Sequence, residues 1–150
     1  MTEIRHFSAS AIVLDGADRV LLVHDDVLDR WSCPGGHIHS GEDPAHAALR
    51  EVNEYTGLRV KTISDVVFAH PTATTHTPPY VILETQADDD AVGPHRHLDM
   101  VYVCQPIEDV PAGDPAGCEW VSVSDLAALS TSPELPSLVA DAARWAKLHR

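Results

Sequence analysis

The chain has 150 residues, 44% hydrophobic and 22% charged, which is the composition of a folded unit with enough apolar mass for a core. Ten Lys plus Arg stand against 23 Asp plus Glu, a formal charge of −13 at pH 7. That argues against a protein gripping nucleic acid through its own charge, because such affinity comes from cations displacing counterions. A free anionic substrate is repelled as well, so a phosphate compound needs a bound cation as mediator, and carboxylates are the groups to hold one. The opening MTEIRHFSAS lacks a basic segment followed by an apolar core, and no apolar run reaches the ~18 residues of a membrane helix. The expectation is a cytoplasmic protein without a membrane partner. Cys33, Cys104 and Cys118 are odd in number and widely spaced, which suggests buried thiols and neither a disulfide framework nor a zinc ribbon.

Two β-rich runs, 8–15 and 19–24, flank Gly16-Ala17-Asp18 and read as a hairpin. Further strands are expected within 59–70, 80–85 and 98–104, separated by loops at 70–79, 87–95 and 106–117 that are rich in Pro, Gly, Asp and Thr. The tail beyond Pro133 carries Leu135, Leu138, Val139, Ala142, Trp145 and Leu148 at helical spacing, with Ser132 and Pro133 as cap and first-turn residues.

The middle helix is the most informative element. Asp43 suits its cap, Pro44 its first position and Gly57 its end, while Ala45, Ala48, Leu49 and Val52 recur at the spacing of a buried face. At ~100° per residue, Glu51 and Glu54 share another stripe, flanked by Ala47. Just before the helix, residues 31–42 form a glycine-rich loop able to bring backbone carbonyls and amides close to a ligand. A hard divalent cation takes oxygen ligands and keeps several waters. A glutamate stripe beside such a loop offers the oxygens.

Read as one unit, the segment runs Gly36, five residues, Glu42, seven residues, Arg50-Glu51-Val52, one residue, Glu54-Tyr55, one residue, Gly57-Leu58. This resembles the Nudix box, and it matches eight of that pattern's nine specified positions. The Trp-x-x-Pro-Gly-Gly approach at 31–36 and the segment at 119–122 extend the likeness. The resemblance implies an α/β fold, a single Nudix domain over 1–150 built as an α/β/α sandwich with a mixed, curved sheet between helices. It implies a pyrophosphohydrolase dependent on Mg²⁺ or Mn²⁺. Gly36, Glu51 and Glu54 would be the metal ligands, with Glu51 also available as the base. Arg50 would orient Glu51, and Glu42 would support the loop or add a ligand. The partner would be a small nucleoside diphosphate linked to another group, such as a nucleotide sugar or ADP-ribose, and a homodimer is one assembly compatible with the family.

The ninth position holds Tyr55, where the family normally has a second metal-binding glutamate. A phenol with pKa ≈ 10 is a poor substitute for a carboxylate near neutral pH. Three outcomes are open: fewer or weaker metals, a replacement ligand such as Asp99, Glu84 or Glu108, or a nucleotide-binding sensor module that has lost catalysis. The other unusual stretch is 95–99. If the third late strand extends that far, His95, His97 and Asp99 alternate onto one face. His97 and Asp99, with His37 from the box loop, are the candidate substrate-binding residues. The spacing also resembles part of the His-x-His-x-Asp-His signature of metallo-β-lactamase-type hydrolases, a reading set aside because Met100 stands where the final His belongs. Trp31, Tyr80 and Tyr102 are expected in the core rather than against a base.

Overall fold

A computed structural model describes residues 5–65, 68–89, 93–109 and 114–150. Its elements are β1 (Arg5–Val13), β2 (Arg19–Asp25), β3 (Arg30–Ser32), β4 (Gly35–His37), α1 (Pro44–Thr56), β5 (Val60–Thr62), β6 (Val81–Asp89), β7 (Gly93–Pro106), β8 (Cys118–Ser122) and α2 (Leu135–His149), with a 3-10 turn at Val123–Ala128. A five-stranded sheet runs β4-β1-β7-β5, with β6 also on β7. β1 and β7 are parallel and the other pairs antiparallel, so this sheet is mixed. A second, antiparallel sheet runs β3-β2-β8.

Alternation along β1 separates the two cores. Ala9, Ala11 and Val13 pack with Ala45, Ala47, Ala48 and Val52 of α1. Ile12 and Leu14 point the other way, into a cluster with Leu135, Val139, Ala142 and Ala146 of α2. Helices therefore cover opposite faces, and the expected α/β/α arrangement with a mixed sheet is present. Tyr102 lies in the α1 core, while Trp31 and Tyr80 pack against the α2 core. The three cysteines are free thiols, with Cys104 and Cys118 buried.

The expected hairpin requires correction. The chain does reverse at 16–18, with the Asp15 amide donating to the Arg19 carbonyl at 3.0 Å, but pairing stops after the single Leu14–Val20 bridge. β1 then joins one sheet and β2 the other, because each finds longer partners elsewhere. The strand expected within 59–70 shortens to β5; Val66 and Val67 lie outside the described residues. The loop expected at 87–95 is strand at both ends, since β6 and β7 pair from Val81–Val101 to Asp89–Gly93. Residues 90–92, and 110–113 of the later loop, are outside the described set. The last helix begins two residues later than its Ser-Pro signal, at Leu135, with Glu134 at the cap position.

Candidate functional site

The sequence around α1 fixes the site locally. Asp43 accepts from the His46 amide at 3.1 Å, Pro44 occupies the first turn, and Gly57 closes the helix at φ 75°, its amide donating to the Asn53 carbonyl. Ala45, Ala48 and Val52 are buried as expected, but so is Ala47, placed by sequence beside the glutamate stripe, and Leu49 is only partly buried. The helix is thus rolled toward its Glu51 side, and the Glu51 side chain is only 12% exposed.

Arg50 organises this side. Its Nε and Nη2 grip the two oxygens of Glu42 at 2.8 and 3.0 Å, its Nη1 donates to Glu51 Oε1 at 3.0 Å and Glu54 Oε2 at 3.3 Å, and its Nη2 also reaches the His37 carbonyl at 3.2 Å. One planar guanidinium thus ties the loop, the helix and β4 together, as its fork of donors allows. Glu42 also accepts the His39 amide at 3.1 Å. The Arg50 hydrogen bonds, with help from that amide, hold the Glu42 carboxyl down to about 2. Glu42 is therefore a clamp on the loop.

Gly36 lies beneath Glu51. A Cβ at residue 36 would come within 2.8 Å of the Glu51 carboxyl carbon, so the close approach of this backbone to the carboxylate requires glycine. Arg50 engages one oxygen each of Glu51 and Glu54, and each carboxylate keeps a second to offer. Carboxylate oxygens of Glu51 and Glu54 are hard donors of the kind Mg²⁺ or Mn²⁺ takes, with several waters completing the shell. The residues present fit such an ion.

Tyr55 is 50% exposed. Burial of its ring, then the negative charges of Glu51, Asp25 and Glu54, raise its phenol above the ordinary value, so it stays neutral near pH 7. Of the carboxylates expected as replacements, Glu84 pairs with Arg5 at 2.9 Å and Glu108 with Arg59 at 3.1 Å. Asp99 accepts from Ser8 and Ser10 on the face of β1 turned away from α1. Asp25 at the end of β2, which the sequence reading did not single out, is the carboxylate outside α1 whose charge reaches Tyr55.

The expected substrate residues do come together. β7 extends through 95–99, so His95, His97 and Asp99 share a face, and β1 places Ser8 opposite Asp99. A cavity of about 370 Å³ takes in Gly36, His37, His97 and Asp99, with Arg30 and Asp25 also on its wall. Asp99 accepts from the Ser8 hydroxyl at 3.1 Å and the Ser10 hydroxyl at 2.7 Å; burial pushes its carboxyl up while the two hydroxyls pull it down, and burial prevails. Ser8, Ser10 and Arg30 were missed by sequence reasoning. The serines carried a signal, because His6, Ser8 and Ser10 alternate with apolar residues, but the partner strand that gives them meaning is ninety residues away.

The family model described as NUDIX domain matches residues 4–142. Among curated proteins, the chain is 33% identical over 91 residues to a CMP-5'-(N-acetyl-N-hydroxy-3-aminopropyl)phosphonate hydrolase of Streptomyces rubellomurinus, covering 58% of this chain and 44% of that one. It is 43% identical over 54 residues to an RNA pyrophosphohydrolase of Dinoroseobacter shibae, covering 35% and 34%. These matches span less than half the length of either relative. Among solved structures, a NUDIX family hydrolase from Clostridium perfringens superposes with a TM-score of 0.74 at 24% identity, over 93% of this chain and 96% of that one. A C. elegans Ap4A hydrolase gives 0.64 at 17% identity, over 95% and 98%. No helix among the described residues is long and apolar enough to cross a membrane.

Proposed function

The chain belongs to the Nudix family, and on that footing we propose that it is a divalent-metal-dependent pyrophosphohydrolase cleaving the diphosphate linkage of a nucleoside diphosphate joined to another group. The observation that carries this reading is the convergence of Arg50, Glu42, Glu51 and Glu54 over Gly36, which also lines the cavity holding Asp99. Glu51, Glu54 and the Gly36 carbonyl would hold Mg²⁺ or Mn²⁺, which would supply charge neutralisation at the phosphoryl oxygens and lower the pKa of water. Glu51 accepts the proton of the attacking water, and Arg50 fixes the carboxylate in place for that task. Glu42 holds Arg50 in turn. Along the cavity, Arg30 offers a cation to substrate phosphate, while His37, His97 and Asp99 present polar groups to what the diphosphate carries. A chain charge of −13 repels a free anion, so a phosphate-bearing ligand in this cavity would be met by metal and Arg30 together.

The test is a substrate panel of ADP-ribose, nucleotide sugars, dinucleoside polyphosphates, NADH, CDP-alcohols and nucleoside triphosphates with Mg²⁺ or Mn²⁺, with Glu51→Gln as control. Metal-dependent cleavage lost in the control supports the reading. A second reading rests on Tyr55, a neutral phenol in place of a carboxylate. It makes the chain a nucleotide-binding sensor, and it predicts binding of panel compounds without product.

A further inference from the structure

Four imidazoles converge on the sheet face opposite α1. His6 and His97 are direct neighbours across the parallel β1–β7 ladder, His37 of β4 lies opposite Ser8, two residues along β1 from His6, and His95 is two residues from His97 on β7. The pleat therefore turns all four toward one side. One ring nitrogen from each lies within 4.8 Å of the other three, and Nε2 of His95 is 2.8 Å from Nε2 of His97. The ring centroids of His95 and His97, and of His6 and His95, are each 4.7 Å apart, with His37 at 5.3 Å from His97 and 5.4 Å from His6. His95 is only 1% exposed, so the cluster has a buried floor and opens toward His37.

Four ring nitrogens this close offer one donor atom each to a single metal ion. Nitrogens 2.8 Å apart can share one proton between two rings, whereas a metal ion engages all four. In a tetrahedral zinc site the metal–nitrogen distance of about 2.0–2.1 Å sets the nitrogens roughly 3.3 Å apart. The ring nitrogens here are 2.8 Å apart in the His95–His97 pair and no more than 4.8 Å apart in the set of one from each ring, so a tetrahedral shell would have the pair open and the wider members close. Neutral imidazole selects borderline first-row transition ions, in contrast to the carboxylate and carbonyl oxygens beneath α1 that suit Mg²⁺. Gly36 and His37 are consecutive in β4, so their side-chain directions are opposed, and the two sites use opposite faces of one strand. We infer that His6, His37, His95 and His97 form a four-histidine site for a first-row transition ion of the zinc class, tying together β1, β4 and β7. Four protein ligands complete a tetrahedral shell, which makes the site structural. The inference does not depend on the hydrolase reading, and an imidazole bound to metal through one nitrogen keeps the N–H of the other, so His37 and His97 still present a donor to the cavity.

Co²⁺ and Zn²⁺ are the probes. Untagged full-length protein, freed of metal by chelation, is titrated with Co²⁺ and followed by visible absorption, then challenged with Zn²⁺ and, separately, with millimolar Mg²⁺. The expected result is a set of intense visible bands of a tetrahedral nitrogen shell that saturates at one equivalent of Co²⁺, is displaced by Zn²⁺ and is untouched by Mg²⁺. Zn²⁺ also raises the unfolding midpoint by several degrees, as binding to the folded state requires. In Glu51→Gln the tetrahedral bands form as in the parent, whatever happens to the weakly absorbing oxygen-ligated ion beneath α1. His95→Gln loses roughly a hundredfold or more in affinity. Because His95 is buried, the exposed His37→Gln and the strand-end His6→Gln are measured alongside it, each checked by circular dichroism, and each loses at least about tenfold while folded. Absence of the tetrahedral bands, bands that survive the histidine substitutions, or bands lost in Glu51→Gln overturns the assignment.

Discussion

Replacing Arg50 by Lys keeps the positive charge and removes the fork. The guanidinium makes five hydrogen bonds, to both oxygens of Glu42, one oxygen each of Glu51 and Glu54, and the His37 carbonyl. An ammonium has three donors at one point and can satisfy about two of these groups at once. Charge-assisted bonds contribute about 1.5–3 kcal/mol each when isolated, but they share one side chain here, so about 1 kcal/mol for each of three lost bonds is the defensible figure. The expected destabilisation is therefore about 2–3 kcal/mol, or roughly 5–10 °C in unfolding midpoint for a chain of this size. Arg50, Glu42 and Glu51 are only 16%, 11% and 12% exposed, which keeps the interaction from being diluted to surface-pair strength. Urea titration of parent and variant measures the deficit. Its pH dependence has a fixed sign. Glu42 is held to about 2, well below its ordinary 4.5, so the Glu42 part of the clamp stabilises fully above pH 4.5 and is lost as pH falls toward 2. A deficit below about 0.5 kcal/mol at pH 7, or one that grows on acidification, refutes the clamp.

Gly36→Ala forces the new methyl against the Glu51 carboxyl group, and the displaced carboxylate should lower turnover by about a hundredfold with a far smaller change in unfolding midpoint; unchanged turnover would remove Gly36 from the site. Tyr55→Glu adds a carboxylate beside Glu51, Glu54 and Asp25 and should tighten Mn²⁺ binding by about tenfold or more in a calorimetric titration, whereas weaker binding would mean Tyr55 does not face the ion. Asp99 has a raised carboxyl, so the folded state holds its proton more firmly than the unfolded chain, and stability falls as pH rises through the carboxylate range. Asp99→Asn should abolish that fall in urea titrations while weakening substrate binding; a parent stability that climbs over this interval relative to the variant would contradict the assignment.

The helix was legible because its signals are local. Asp43, Pro44 and Gly57 stand where capping chemistry needs them, and the box residues lie within one loop and one helix. The alternation of 95, 97 and 99 was legible too, once the strand was allowed to extend. What escaped depends on long-range pairing. Nothing in 8–24 reveals that a turn with a hairpin's sequence sends its two arms into different sheets, because that choice is made by β7 and β8. His6 gains its neighbours only through register with His97, and Ser8 and Ser10 meet Asp99 the same way. Ala47 was set beside the glutamates by helical angle alone, but the sheet beneath claims it. Asp25 sits at a strand end with no motif around it, and only the fold brings its charge to Tyr55.

Metal-dependent diphosphate hydrolysis, as proposed, depends on Glu51 held by Arg50 over Gly36. The most direct measurement is single-turnover cleavage of the best panel substrate by the parent and by Glu51→Gln, each with saturating Mg²⁺ or Mn²⁺ and with substrate binding measured independently. A loss of about 10²–10⁴-fold in the chemical step with substrate affinity retained is the predicted result. Equal rates in the two proteins would contradict the account.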